Sequence, residues 1–220
     1  MPSSMSDRTS PDSISADRPP VKADFGGWLF RHRTALPLPI AAAILAIPAR
    51  NDVGGAALPA AGVAVTIVGE AIRLWGVRHI GAVSRTRSER LGPLIDSGPF
   101  AYVRNPLYIG NMLLWVGFAL TARLWWLAPI AFALLAIEYH LIVRWEEQLL
   151  IQRIGDGYRD YMRRVPRWVP RFGLPSVSVS SVPSSVASAP FPWSETVFSE
   201  RGTLMAMAAG YLLLWLKARF

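Results

Sequence analysis

The feature that most constrains this chain is a series of four apolar segments in its central part. They run over residues 34–49, 54–76, 107–122 and 124–143. In lipid, a span must satisfy its own backbone polar groups, and a helix needs about 20 apolar residues to cross. Hydrophobic residues make up 52% of the chain and charged residues 17%, below the roughly 25% of a soluble domain. We therefore predict an all-α, polytopic transmembrane helix bundle with four core spans.

The composition changes on both sides of these segments and sets the predicted domain boundaries. Residues 1–24 are rich in Ser, Asp, Pro and Arg, so we predict a disordered tail. The membrane domain is expected over 25–171, followed by a Ser/Pro-rich linker over 172–200. A C-terminal apolar helix is predicted over 201–220. Its apolar part, 202–216, is marginal in length for a span, so crossing, interfacial and packed positions all stay open.

Arginines flank the apolar segments and predict the orientation of the bundle. The net charge is +8, and basic residues concentrate in 77–106 and 144–171, on either side of a helical hairpin. A hairpin returns the chain to the side it left, so both stretches lie on one face. The positive-inside rule makes that face cytosolic, together with the amino terminus. We predict an integral protein of a bacterial inner membrane, with the bilayer and not nucleic acid as its partner.

A first polar motif, SGPFAYVRNPLYIG, precedes the third apolar segment. Pro106 suits the first turn of a helix, so the helix is predicted to begin there, with Arg104 and Asn105 at its amino terminus. Free backbone N–H groups and the helix dipole favour an anionic group at such a place. Tyr102 and Tyr108 flank it as aromatic surfaces. An ordinary membrane-entry motif, with Arg at lipid phosphate and Tyr in the aromatic belt, explains the same residues.

A second polar cluster, EYHLIVRWEE, follows directly on the fourth apolar segment. Ionisable residues at this depth are costly and by default functional. His140, Arg144 and Glu147 share one helical face, while Glu138 and Glu146 lie on a neighbouring strip. Interfacial solvation with local Glu–Arg pairing is the alternative interpretation of these residues.

A third stretch, GDGYRDYMRRVPRWVPR, is basic, aromatic and amphipathic. Alone it is typical of a membrane-surface helix, and beside the first two motifs it could close a pocket from the cytosolic side. The chain has no cysteine, which excludes a disulfide framework, a Cys-ligated metal and a thiol nucleophile. We predict no metal site.

In order, GPFAYVRNPLYIGN, a hairpin, a paired glutamate and GDGYRDYMRRVPRWVPR resemble the isoprenylcysteine carboxyl methyltransferase and phospholipid methyltransferase superfamily. The upstream GEAIRLWGVRHIG extends the resemblance over about residues 65–171. The resemblance implies a membrane methyltransferase that uses S-adenosylmethionine, bound in a pocket on the cytosolic side. It also implies a lipophilic acceptor that enters from the bilayer. The usual histidine of the superfamily is Asn105 here, which cannot carry a proton.

The resemblance also assigns roles to particular residues. It implies cofactor contacts at five positions: Arg104, Asn105, Tyr108, Glu146 and Glu147. Tyr102 is a sixth predicted cofactor contact, because its ring could face the adenine or the sulfonium. If the acceptor is an amine, a base must leave it neutral, and Glu138 and His140 are the candidate catalytic residues. A phospholipid amine, an isoprenylcysteine-like carboxylate and a thiol all stay open as acceptors. We expect residues 176–220 to be dispensable for the cofactor pocket, because they lie outside the resemblance.

Two other functions fit the same sequence. Membrane reductases of the sterol and steroid type end in a related R-H-P-x-Y arrangement but use NADPH. The Glu146–Glu147 pair argues against them, because carboxylates oppose a pyrophosphate. A non-catalytic membrane scaffold is the third hypothesis. The sequence leaves the oligomeric state open.

Overall fold

The computed structural model of the protein describes residues 25–49, 54–81, 94–171 and 190–219. Within these residues every regular element is helical, which confirms the predicted all-α class. The predicted tail over 1–24 lies outside the described residues, as does the predicted linker up to residue 189.

The described helices follow one another along the chain, with a short 3₁₀ turn at Gly98–Ala101 between the third and the fourth. They are α1 (Phe25–His32), α2 (Leu38–Ala46), α3 (Ala57–Ile80), α4 (Pro106–Thr121), α5 (Leu127–Ile154), α6 (Asp156–Arg164) and α7 (Trp193–Lys217). The predicted hairpin is formed by α4 and α5, and its turn contains Arg123 in the left-handed conformation at φ 61°.

Two helices, α3 and α5, are long and apolar enough to cross a membrane. Their 24 and 28 residues extend about 36 and 42 Å, against about 30 Å of hydrocarbon. α4 is a shorter apolar helix of 16 residues that packs against both. Large apolar side chains face outward, including Ile67 and Ile137 at 61% and 62% exposure. Such outward apolar surfaces are expected where a bundle meets lipid.

The first apolar segment, predicted over 34–49, forms a helix shorter than a full crossing. α2 has nine residues, about 14 Å in length. Pro37 and Pro39 lie at its start, and Ile47 turns extended at ψ 126°. The extended turn is expected, because the residue before a proline avoids the helical region. The helix of the fourth segment is longer than predicted, since α5 continues past the predicted end at Val143 to Ile154.

α3 and α4 pack through glycines spaced seven residues apart, at Gly62 and Gly69 on α3 and at Gly110 and Gly117 on α4. A Cβ at Gly69 would lie 2.9 Å from the Gly110 carbonyl oxygen, and one at Gly110 would lie 2.7 Å from the Gly69 carbonyl oxygen. Gly62 and Gly117 form the same reciprocal contact, at 2.7 Å in each direction. Only glycine permits backbones to approach this closely, which is a common way to associate helices in membranes.

α7 begins at Trp193, inside the range 172–200 that was predicted to be linker. Pro192 is extended, at φ −54° and ψ 146°, and its carbonyl starts the helix. That carbonyl accepts hydrogen bonds from the Thr196 N–H at 3.0 Å and from the Thr196 hydroxyl at 3.1 Å. The polar first turns of α7 concealed this start from a search for apolar residues.

α7 runs antiparallel to α3 and is attached at several points along it. Arg73 pairs with Glu200 at 2.6 Å, and the Tyr211 hydroxyl donates to Thr66 Oγ1 at 2.8 Å. At the far end, Lys217 Nζ donates two hydrogen bonds of 2.5 Å to carbonyls at the carboxyl end of α2. The helix therefore packs along the bundle.

Replacing Gly69 with alanine is expected to destabilise the bundle, because the new methyl group would meet the Gly110 oxygen and the Leu113 Cβ at 2.9 and 3.0 Å. We expect a loss of about 1–3 kcal/mol in the free energy of unfolding, seen as a lower melting temperature in detergent. Gly157→Ala is the matched control, since its methyl group would lie 3.6 Å from Ile154. Equal melting temperatures for the two variants would contradict the close packing.

Candidate active site

The two basic stretches meet at one end of the bundle, here called the motif end, which comprises residues 98–106, α6 and residues 165–171. The backbone N–H of Arg104 donates to the Pro166 carbonyl at 2.9 Å, and the backbone N–H of Arg171 donates to the Tyr102 carbonyl at 3.1 Å. The two stretches therefore share one face of the bundle, as their positions around the hairpin predicted. The assignment of that face to the cytosol stays a prediction.

The start of α4 lies where the sequence predicted it, at Pro106, with Asn105 as the preceding residue. Asn105 adopts φ −125° and ψ 54°, and its side chain does not cap the helix. Its Nδ2 instead donates to the Arg167 carbonyl at 3.1 Å. The amide of Asn105 therefore holds the closing segment 165–171 against the amino terminus of α4.

The buried carboxylate of Glu147, 4% exposed, lies between two arginines. Its Oε1 lies 2.9 Å from Arg104 Nη2, and Arg167 donates through Nε at 3.1 Å and through Nη2 at 2.5 Å. Arg104 Nη1 also donates to the Met162 and Val165 carbonyls, at 2.8 and 3.0 Å. One carboxylate thus joins α5, the first motif and the closing segment.

Arg144, which shares a predicted helical face with Glu147, is exposed. The arginines that pair with Glu147 come from other segments.

Glu146 faces a different set of partners, although it is the neighbour of Glu147. The Tyr108 hydroxyl lies 3.1 Å from both carboxylate oxygens of Glu146. The Tyr108 ring packs against Tyr139 with centroids 4.7 Å apart, and we call these two residues the aromatic pair. Arg33, in the turn after α1, lies close enough to act electrostatically on both Tyr108 and Glu146. A carboxylate beside aromatic rings is suited to a cationic group.

α1 covers this part of α5 and places Arg33. A Cβ at Gly26 would lie 2.6 Å from the Trp145 Cβ, and one at Gly27 would lie 3.0 Å from the indole. The Phe30 and Trp145 rings are 5.2 Å apart, and the Arg33 guanidinium lies 4.1 Å from the Phe30 centroid. Two glycines therefore let α1 lie directly on the indole, which brings Arg33 to the site.

The predicted catalytic residues occupy separate surroundings. Trp168 Nε1 donates to His140 Nδ1 at 3.3 Å, so this nitrogen is occupied as an acceptor. Glu138 Oε1 is buried and lacks a hydrogen-bond partner among the described residues. Across the described part of the chain, no hydrogen bond or ion pair joins Glu138 or His140 to Glu146.

Tyr102 is the remaining predicted site residue. Its ring lies against that of Trp75, with centroids 6.1 Å apart. Trp75 is on α3, whereas Glu146 is on α5. The nearby Tyr161 hydroxyl donates to the Phe100 carbonyl at 2.8 Å. Burial raises the pKa of Tyr161, which keeps the hydroxyl protonated and able to donate. Tyr161 thus fixes α6 to the turn before the motif.

Arg33 and Arg167 are two residues of the site that sequence reasoning did not single out. Arg167 carried a partial signal, because it lies in the closing segment of the third stretch. Arg33 carried none, because its distance along the chain conceals its proximity to Glu146.

Glu147→Gln is expected to destabilise the protein by about 3–5 kcal/mol, because it leaves Arg104 and Arg167 without a buried counter-charge. The measurement is the melting temperature in detergent, followed by tryptophan fluorescence. Asp156→Asn is the control, because Asp156 is 90% exposed and pairs only at the surface with Arg159. If both variants melt as the unaltered protein does, the arginine bridge does not stabilise the motif end.

Residues 58–156 match the model of the phospholipid methyltransferase family. A nickel-cobalt-cadmium resistance protein of Alcaligenes xylosoxydans xylosoxydans is 32% identical over 113 residues, 51% of this chain and 48% of that protein. A cobalt-zinc-cadmium resistance protein of Cupriavidus metallidurans is 32% identical over 114 residues, with the same two shares. The chain therefore spans about half the length of these two relatives.

A methanethiol S-methyltransferase of Bradyrhizobium diazoefficiens is 41% identical over 75 residues, 33% of this chain and 27% of that protein. No solved structure matches the chain significantly. The family match covers α3, α4 and α5, including the first motif and the paired glutamates. The match over residues 58–156 agrees with the superfamily that the motifs resemble.

Proposed function

We propose that this protein is an integral membrane methyltransferase that transfers a methyl group from S-adenosylmethionine to a lipophilic or small membrane-partitioning acceptor. One observation carries the proposal. The family match over 58–156 covers two contacts of the candidate site, Tyr108 on Glu146 and Arg104 on Glu147. The predicted orientation would open this end to the cytosol, where the methyl donor is dissolved.

The residues of the candidate site fit the charges of the donor. S-adenosylmethionine has a sulfonium, an ammonium and a carboxylate. Glu146 with the aromatic pair suits the cationic groups. Arg104 Nε is buried and has no hydrogen-bond partner among the described residues, so it can donate to the carboxylate of the donor. Asn105 at the start of α4 can hydrogen-bond a ribose hydroxyl or the same carboxylate.

Glu147 supports the site in a different way. Its carboxylate already balances two guanidinium groups. We therefore assign it the role of holding Arg104 in place rather than that of binding the donor. Tyr102 lies against α3 and would contribute to the wall of the site on that side.

For methyl transfer, the main task of the protein is to align the donor and the acceptor. When bound, the donor supplies an activated methyl group, and transfer is a direct displacement. The chain aligns donor and acceptor and excludes water. An amine acceptor needs a base, and Glu138 is the better candidate because its Oε1 is unpartnered, whereas His140 Nδ1 accepts from Trp168. The methanethiol S-methyltransferase relative supports a small thiol as acceptor, and a thiolate needs no base in the transfer step.

The first test is ligand-dependent stabilisation of the purified protein in detergent. We expect S-adenosylhomocysteine at 100 times its Kd to stabilise the protein by about 2.7 kcal/mol, while NADPH has no effect. Incubation with radiolabelled donor and total membrane extract then identifies the acceptor from the labelled product. Stabilisation by NADPH alone would favour a reductase, and no effect of either ligand would favour a scaffold.

Glu146→Gln is expected to weaken S-adenosylhomocysteine binding by about tenfold or more, because a charge-assisted hydrogen bond contributes about 1.5–3 kcal/mol. Isothermal titration of the detergent-solubilised protein measures the Kd. Asp156→Asn removes an exposed carboxylate at the same end of the bundle and is expected to bind as the unaltered protein does. An unchanged Kd for a folded Glu146→Gln protein would remove Glu146 from the donor site.

A further inference from the structure

A second buried polar cluster lies among α3, α4 and α7 and takes no part in the site described above. Arg73 Nη2 contacts Glu200 at 2.6 Å and Thr203 at 3.2 Å, and Arg73 Nε lies 3.4 Å from Glu70. Arg73 Nη1 donates to the Asn111 side-chain oxygen. Glu70 and Glu200 are 5% and 1% exposed, so the charges are enclosed by the helices.

The fold is shaped around this arginine. A Cβ at Gly110 would lie 2.5 Å from Arg73 Cγ, so the glycine leaves room for the stem of Arg73 to pass over α4. Charges this deeply buried persist when they are paired and hydrogen-bonded. One of the two carboxylates at Arg73, that of Glu200, comes from α7, outside the family match over 58–156.

A short series of contacts leads from this cluster to the candidate site. Asn111 receives the hydrogen bond of Arg73, and its side chain also lies beside the Tyr139 hydroxyl. Tyr139 packs on Tyr108, whose hydroxyl meets Glu146. Tyr108 and Asn111 are three residues apart on α4 and share one face of that helix. Asn111 therefore links Arg73 to the aromatic pair.

We infer that α7 is part of the functional unit and that Glu200 is a positioning residue for the aromatic pair. Glu200 fixes the guanidinium of Arg73, which fixes Asn111, which in turn sets the position of Tyr139. The effect on methyl transfer rests on the proposed function, whereas the effect on the aromatic pair does not. The inference opposes the expectation that residues 176–220 are dispensable for the pocket.

The proposed positioning role of Glu200 can be distinguished from a role that only attaches α7 to the bundle. The helix has further attachments to the bundle, through Tyr211 on Thr66 and through Lys217 on the end of α2. These lie well along the helix from Glu200. A change at Glu200 that acts only by releasing α7 would therefore also disturb Tyr211.

The test uses the full chain labelled with 3-fluorotyrosine, whose six tyrosines are assigned in 19F NMR by single Tyr→Phe variants. We expect Glu200→Gln to shift the Tyr139 resonance and to leave that of Tyr211 in place. Glu195→Gln, an exposed carboxylate on the same helix, is expected to shift neither. An unmoved Tyr139 in Glu200→Gln overturns the inference, and so does a joint shift of Tyr139 and Tyr211.

Asn111→Ala provides a second, independent variant, because it interrupts the series of contacts and leaves Glu200 on Arg73. We expect it to shift Tyr139 as Glu200→Gln does, with Tyr211 unmoved. If the folded Asn111→Ala protein keeps the Tyr139 resonance unchanged, the inference is overturned whatever the behaviour of the Glu200 variant.

Kinetics with labelled S-adenosylmethionine completes the test. Because the aromatic pair is proposed to contact the cationic groups of the donor, we expect Glu200→Gln to raise the donor KM about tenfold and Glu195→Gln to match the unaltered protein. Equal donor KM for the two variants overturns the inference. An unaltered protein that neither binds S-adenosylhomocysteine nor transfers methyl groups overturns the proposed function instead, and the NMR result then decides the positioning role alone.

Discussion

The reciprocal glycine contact between α3 and α4 is the constraint on which the rest of the bundle depends. Lipid gives apolar helices no hydrophobic reason to associate, so close packing and interhelical hydrogen bonds must hold them together. Gly69 and Gly110 bring the two backbones into contact and prevent either helix from sliding. That fixed register places the end of α3 beside the turn that begins the motif. Gly110 also leaves room for the side chain of Arg73 to cross α4.

The interior charges are organised as two separate groups with the same design. At the motif end, Glu147 joins two arginines from a loop and a closing segment. Deeper in the bundle, Arg73 joins two glutamates from α3 and α7. In each group the central residue lies on a long helix and at least one partner arrives from a distant segment. A mispaired arrangement would leave a charge unbalanced in an apolar medium, so these groups favour one arrangement of the helices.

Local patterns predicted much of this architecture. Apolar runs located α3, α4 and α5, a proline located the start of α4, and the spacing of basic stretches around the hairpin indicated their shared face. Helical periodicity failed where tertiary contacts decide. It grouped Arg144 with Glu147, but the carboxylate pairs with Arg104 and Arg167, which its own helix cannot supply. The polar start of α7 and the contact of Glu200 with Arg73 were not predicted for the same reason, because both depend on contacts between segments distant in sequence.

The Lys217 contact bears on how the bundle can be assembled. Lys217 lies at the end of the bundle opposite the motif end, where the predicted orientation and the positive-inside rule together disfavour a cation. Its ammonium donates to the carbonyls that end α2, the negative pole of that short helix. The carbonyls of α2 thereby gain a hydrogen-bond donor, and the ammonium of α7 gains acceptors that carry partial negative charge. α2 and α7 therefore stabilise each other in the bilayer, and neither helix is suited to insert alone.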